Sequence, residues 1–322
     1  MGNNKLITIL TPTYNRASLL HKLYDSLLMQ TSFNFEWLII DDGSKDNTKE
    51  VVETFKNEKF IIKYVFKENG GKHRALNFGI DNIETPLVFI VDSDDWLTND
   101  AIESIEDYYN KYQDSEKIAG FSFLRKYPDG KINVSTGRLE PFIDSYFNIR
   151  VKENRIGDMA EVYFTEILKN NHFPEIEGEK FIGEDIVWLE ISKKYDLLFV
   201  EKPIYISEYL EEGLTSNRRK MNVENPIGCY RRALKFLEFN KLTLKLKVKN
   251  ILQMTIYGYF AKFSIQSIYA KTNYKFLFII LLPFSLIIYC IWKIRRRQVW
   301  KLNSNNDHDK NNSISWVQKN KC

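Results

Sequence analysis

Cysteine is scarce in this 322-residue chain: Cys229, Cys290 and Cys322 are three in number, far apart and without metal-ligand spacing. That pattern argues against a disulfide framework or a thiolate metal centre, fits a reducing cytosol, and leaves the thiols structural or incidental. A dominant charge is also lacking. The 46 basic and 42 acidic side chains leave a net charge of +4, too little for a general nucleic-acid binder. No internal repeat is visible. The strand-like run after Met1-Gly2-Asn3-Asn4-Lys5 is too short for the apolar core of a secretion signal, so the N-terminal half is expected to stay in the cytosol. What the chain does have is a 44% hydrophobic content, enough for one large α/β domain with additions or for two domains.

Up to about residue 110, short apolar runs alternate with helical periodicity, the pattern of βαβ units building a Rossmann-like, mostly parallel sheet flanked by helices. Strands are expected over 6–10, 37–40, 61–66 and 87–91. Helices are expected over 17–28, capped by Asn15 or Ser18, over 48–55, capped by Asp46 or Asn47, over 73–82, and from Thr98 or Asn99 through Tyr112. Further on, Tyr127-Pro128-Asp129-Gly130 predicts a turn between strands at 120–124 and 132–135. Gly183-Glu184-Asp185 opens another helix, followed by a short strand at 197–200.

Polar clusters at 11–15, 41–44, 68–74 and 92–95 each directly follow a predicted strand, so all four share one sheet edge, where open parallel sheets bind ligands. The most telling is Asp92-Ser93-Asp94-Asp95, three acids in four residues at the end of an apolar strand. Asp92 and Asp94 suit a hard divalent ion, which tends to be shared between one or two carboxylates and substrate phosphates and can act as Lewis acid for a leaving group. Asp42, followed by Gly43 for a tight turn, can accept a hydrogen bond from the N3–H of uracil, and Tyr14 can stack on the base. Lys72 and Arg74 supply positive charge for a diphosphate. His73 reads as a partly buried structural histidine. Together these groups suit a nucleoside diphosphate sugar.

In order and spacing, Leu10-Thr11-Pro12-Thr13-Tyr14-Asn15-Arg16, Asp41-Asp42-Gly43-Ser44-Lys45-Asp46, Gly70-Gly71-Lys72-His73-Arg74-Ala75-Leu76-Asn77 and Val91-Asp92-Ser93-Asp94-Asp95 resemble the inverting family-two glycosyltransferases. The resemblance covers about residues 5–215. It implies the A-type glycosyltransferase fold, a nucleotide-sugar donor such as a UDP-sugar, and Mn²⁺ or Mg²⁺ held at Asp92 and Asp94. It also implies that Asp42 contacts the base and that Thr11, Pro12 and Tyr14 line the nucleotide, with Ser44, Lys72, Arg74 and Asp92 in the same binding set. Inversion needs a carboxylate that removes the acceptor hydroxyl proton. The family places it in an acidic pair opening a helix, here Glu184-Asp185. The commoner base is the second acid, whereas the flanking Lys180-Phe181-Ile182 and Val187-Trp188 resemble a subgroup that retains the first, so both are candidates. One departure is that 205–217 lacks the histidine many relatives use at the metal or diphosphate; Glu208, Glu211 and Glu212 are the substitutes at hand.

The C-terminal part differs. Residues 276–292 are almost wholly apolar, bounded by Lys275 and Lys293 and followed by Arg295-Arg296-Arg297, with Pro283 near the middle. The length is at the lower limit for crossing a bilayer, while 251–270 has the composition of an interfacial segment. A cytosolic donor site and a cytosol-preferring arginine cluster on either side of this run are reconciled by a Pro283-broken hairpin or by an interfacial helix. The expected organisation is a transferase domain over 1–215, divided into a nucleotide-sugar half (1–112) and an acceptor half (113–215), a helical membrane-associating region over 216–302, and a disordered tail over 303–322. The implied partners are the donor, a glycan or polyprenyl-linked acceptor, and the cytoplasmic face of a membrane, with no nucleic acid. Two other readings compete. A sugar nucleotidyltransferase would normally carry a Gly-rich basic loop after its first strand, which Thr11-Pro12-Thr13-Tyr14 is not. A catalytically silent membrane partner of another transferase is disfavoured by the intact acids.

Overall fold

The computed structural model describes residues 5–155, 157–208 and 218–296. The chain forms two compact units, divided between Lys235 and Phe236. In the first, β1 (Ile7–Thr13) and β2 (Phe35–Asp41) are buried at every position. Both are buried on two faces, as strands inside a parallel sheet are, and the polar side chains they carry, Thr8, Thr11, Thr13, Glu36 and Asp41, are buried with the apolar ones. Strand β3 (Ile61–Phe66) lies at the sheet edge and is half exposed. With β4 (Leu87–Ile90) these strands pair in parallel, and β1 lies between β2 and β4. The chain therefore winds outward on one side of β1 and returns on the other, which opens a crevice at the strands' carboxyl ends.

The sheet continues through β5 (Trp96–Leu97), β6 (Ile118–Lys126), β7 (Phe142–Asp144), β8 (Met159–Phe164) and β9 (Asp196–Ile206), in the order β3-β2-β1-β4-β8-β6-β9-β5, with β7 on β9. Strand β8 is antiparallel to both β4 and β6. One face packs Ile7, Ile9, Trp37, Phe89 and Val91 against α1 (Leu20–Leu28) and α4 (Ala101–Tyr112). On the other face, α3 (Lys72–Asp81) presses so closely that a side chain at Gly79 would strike Leu10. On that face too, Tyr163 of β8 stacks on Trp188 of α6 (Asp185–Ile191), with ring centroids 4.4 Å apart.

Several expectations need correction. The 127–130 turn forms, with Tyr127 N donating to Lys131 O at 2.8 Å, but no strand follows over 132–135; only an isolated bridge joins Lys126 and Ile132. Both edges of β6 are already paired, and Ser135 and Thr136 are bound to the Glu201 carboxylate instead. The helix expected from residue 17 starts at Leu20, and Asn15 does not cap it. Asn15 sits at φ 52° and accepts a hydrogen bond from Lys45 N, joining the loops after β1 and β2.

The remaining helices along the chain are α2 (Thr48–Thr54), α5 (Thr165–Lys169), α7 (Arg218–Glu224) and α8 (Pro226–Leu237). In the second unit, α9 (Leu244–Phe260) and α10 (Ile265–Lys271) precede α11 (Lys275–Arg296). α11 runs unbroken through Pro283, so the Pro283-broken hairpin is not formed. One side of α11 is occupied: Phe278 meets Tyr269, Tyr289 meets Phe260 and Trp292 meets Tyr257. Its opposite side exposes Phe276, Ile279, Ile280, Phe284, Ile287, Ile291 and Ile294. Apart from the adjacent Ile279 and Ile280 these recur every three or four residues, a continuous apolar stripe.

Candidate functional site

The loops after β1, β2, β3 and β4 converge on the crevice. Asp42, 3% exposed, closes the β2 and β3 loops on each other. Its Oδ1 accepts from Lys67 Nζ (2.6 Å) and Gly70 N (2.9 Å), and its Oδ2 from Gly71 N (2.7 Å) and Asn69 Nδ2 (3.1 Å). Gly71 is required here, because it sits at φ 97° and any side chain would collide with the Lys180 backbone. Ser44 ties in the β1 loop by accepting from Asn15 N at 2.8 Å.

The next residue after this loop, Lys72, opens α3 and reaches across the crevice. Its Nζ lies 2.5 Å from Asp92 Oδ1 and 2.7 Å from Glu184 Oε1. Burial works against the ammonium, but Asp92 and Glu184 outweigh it and hold its pKa well above the usual range. Burial likewise opposes the Asp92 carboxylate, which Lys72 and then Arg125 and Arg16 keep below its ordinary value. For Asp94 the balance reverses: burial, then the charge of Asp92, pushes it up. Among the described residues Asp94 makes no hydrogen bond or ion pair to another side chain.

The acidic turn is braced from β9. Tyr205, fully buried, donates to Asp95 Oδ2 at 2.7 Å and accepts from Asp92 N at 3.0 Å. The Arg125 guanidinium lies 3.9 Å from the Tyr205 ring centroid. Burial, followed by Asp92, pushes Asp95 up to about 7.

The other predicted residues separate. Thr11 is buried within β1, its hydroxyl accepting from Trp37 Nε1 at 3.0 Å, and Pro12 is buried beside it, while Tyr14 at the strand end is 44% exposed. Arg74 turns away from Lys72 and donates to the carbonyls of Gly70 (2.9 Å), Ile176 (2.7 Å) and Glu179 (3.1 Å). Of the acidic pair, Glu184 faces Lys72, whereas Asp185 is gripped through both oxygens by Arg232 Nε, at 2.8 and 2.6 Å. Glu208 pairs with Lys22 at 2.5 Å, and Glu211 and Glu212 lie outside the described residues. Sequence reasoning missed Tyr205, Arg16 and, on β8, Glu161. Arg16 was signalled by its place inside the first motif; the other two carry no local mark.

The donor set suits a divalent cation in one way only. Among the described residues no group of three or more His, Cys, Asp or Glu side chains could hold a metal, so an all-protein cage is absent there. Asp92 and Asp94, one with its charge crowded by the other, match the pattern in which Mg²⁺ or Mn²⁺ takes one or two carboxylates and completes its shell with phosphate and water.

The family description Glycosyl transferase family 2 fits residues 8–159, a span holding β1 through β4 and every loop of the crevice except Glu184. Residues 8–159 form a domain of this glycosyltransferase family. A glycosyltransferase of Streptococcus pneumoniae, GlyA, is 36% identical over 107 residues, 33% of this chain but 15% of that protein's length. The transferase fold is shared with TarS of S. aureus, solved with UDP-GlcNAc: TM-score 0.57, 19% identity, 82% of this chain and 75% of that one. It is shared as well with the mannosyltransferase PcManGT of Pyrobaculum calidifontis, solved with GDP-Man and Mn²⁺: TM-score 0.54, 16% identity, 89% and 82% covered.

Proposed function

We propose that the protein is an inverting glycosyltransferase that moves a sugar from a UDP-sugar to a hydroxyl of a glycan or polyprenyl-linked acceptor, at the cytoplasmic face of the membrane, in surface-polysaccharide synthesis. The observation that carries this reading is the single ammonium of Lys72 between Asp92 and Glu184. It brings a candidate base from far along the sequence to the carboxylate that follows β4.

Glu184 is the base and Asp185 its support, because Arg232 already engages both oxygens of Asp185. Glu184 takes the acceptor hydroxyl proton as that oxygen attacks the anomeric carbon; the bond to the diphosphate breaks on the opposite face, and the nucleoside diphosphate departs with the electron pair. Lys72 remains opposite the growing negative charge. Mn²⁺ or Mg²⁺ held by Asp92 and Asp94 would supply Lewis acidity at the diphosphate. Asp42 serves the base through the loop it closes, and the exposed Tyr14 ring offers a stacking surface. The stripe on α11, with Lys275 at one end and Lys293, Arg295 and Arg296 at the other, supports an interfacial helix dipping into one leaflet beside anionic head groups.

The test is nucleotide release by the full chain across a panel of UDP-sugars and GDP-mannose with Mn²⁺, with and without chelator. Release that stops with chelator and with Asp94→Asn is expected. Absence of release from every donor, or release indifferent to both, would sink the reading and leave a nucleotidyltransferase or a silent partner.

A further inference from the structure

A nucleotide sugar is a linear molecule, and the sheet edge beneath it is linear too. Across that edge the strands run β2, β1, β4, β8, about 4.8 Å apart. Asp42 follows β2 and Asp92 follows β4, so the base and diphosphate positions of the proposed function lie two strand steps apart. One step further is β8. Its register with β4 pairs Val88 with Tyr163 and Phe89 with Val162, and the next step sets Glu161 beside Ile90, two residues short of Asp92. Alternation along β8 puts Glu161 on the same face as Tyr163, the face where Tyr163 stacks on Trp188. Trp188 is one helical turn beyond Glu184, so Glu161 lies on the floor of the crevice under Glu184.

That floor has unmet hydrogen-bonding capacity. Among the described residues no hydrogen bond or ion pair reaches the Glu161 carboxylate. Tyr163 Oη and Arg150 Nε and Nη1 are buried without partners there. The three side chains lie within electrostatic reach of one another: burial, against the opposing pull of Arg150 and Arg125, leaves Glu161 raised to about 7, with Asp158 and Glu184 adding to the rise. Arg150 also sits in a π-helical turn, Phe147–Lys152, a geometry frequent at functional sites.

We propose that Glu161 reads the donor's sugar ring, its carboxylate accepting hydrogen bonds from ring hydroxyls. This rests on the proposed transferase function and narrows it. Lys72 already neutralises part of the charge of Asp92 and Glu184, and Glu161 offers an acceptor rather than a cation, so the ring this wall favours is a neutral hydroxyl-bearing sugar, such as a hexose or an N-acetylhexosamine. A uronic acid would bring a fourth carboxylate to that wall and is rejected.

The experiment uses the full chain with Mn²⁺, and compares wild type, Glu161→Gln and Glu161→Asp. Binding of UDP is measured by calorimetry, and nucleotide release is followed with UDP-glucose, UDP-galactose, UDP-N-acetylglucosamine and UDP-glucuronate. The expected result is unchanged UDP affinity in Glu161→Gln, which also shows the variant folded, with the KM for the preferred neutral sugar raised about tenfold or more. Discrimination against UDP-glucuronate should narrow by a similar factor, and Glu161→Asp should recover part of it. An unchanged KM and unchanged discrimination would overturn the proposal, and so would loss of UDP affinity in Glu161→Gln, which would make the residue structural. Wild-type chain that binds neither UDP nor any donor fails the transferase reading itself, a separate outcome.

Discussion

The two ends of the crevice handle carboxylates in opposite ways. At the β2 end, Asp42 is nearly inaccessible and each oxygen accepts two hydrogen bonds from the neighbouring loop. At the β4 and β8 end, Asp94 and Glu161 meet no side-chain donor among the described residues, and both are pushed up in pKa by burial. A carboxylate that the fold satisfies shapes a site, whereas one left unsatisfied keeps its lone pairs for something that arrives. The acidic pair on α6 repeats the contrast within two residues, with Asp185 locked to Arg232 and Glu184 held by the one lysine that also serves Asp92.

This contrast breaks most visibly at α6. Glu184→Gln should lower kcat by about 10² to 10⁴ with donor KM little changed, the usual range for losing a general base. Asp185→Asn should cost less than about tenfold in kcat and show itself as lowered thermal stability, since it loosens the Arg232 contact. Steady-state kinetics paired with thermal denaturation decides it; the reverse ranking would make the locked acid the reactive one.

Asp42 tests the satisfied end. Asp42→Ala removes the shared acceptor of Lys67, Asn69 and two backbone N–H groups in a part-buried loop and should destabilise the domain by about 3 kcal/mol, read as a lower denaturation midpoint in urea. If Asp42 acts only on the base, the midpoint stays put and nucleotide affinity alone falls.

Glu161 gives the pH dependence at the unsatisfied end. Unfolded it ionises near 4.5, folded near 7. Between these values the native chain holds a proton that the unfolded chain lacks, so this group's contribution to stability falls as pH rises through the window and is level above it. Stability at about pH 5.5 should exceed that at about pH 8 by a component of roughly 2 kcal/mol that Glu161→Gln abolishes. Parallel pH profiles of the two proteins would refute the raised ionisation.

Much of this arrangement was legible in the sequence, because four polar clusters behind four apolar strands must share an edge whatever the family. The strand β8 was not. Met159-Ala160-Glu161-Val162-Tyr163-Phe164 carries a charge in its middle, and only its antiparallel seat between β4 and β6 makes it a strand. The fates of Lys72 and Arg74 were equally hidden. Two residues apart on a helix they point in different directions, and which one meets the acids depends on Ile176, Glu179 and Glu184, all far along the chain. Nor could periodicity show that α11 tolerates Pro283, whose missing N–H removes one helical bond while the flanking turns and the packed aromatic face persist.

The same rule of satisfied and unsatisfied groups applies to apolar surface along α11. Phe278 and Ser285 are covered, at 1% and 0% exposure, whereas Phe276 and Ile287 stand open at 78% and 57%. A substitution on the open stripe should therefore leave the fold intact and weaken attachment to lipid. Ile287→Asp should reduce sedimentation with vesicles of mixed neutral and anionic lipid about tenfold, because it removes one buried aliphatic side chain and adds a charge repelled by the head groups. Nucleotide release from a soluble donor should be unaffected. Phe278→Asp, on the covered side, should instead lower thermal stability. Equal loss of vesicle binding from both, with no difference in stability, would mean that the helix is surrounded by lipid on all sides and crosses the bilayer.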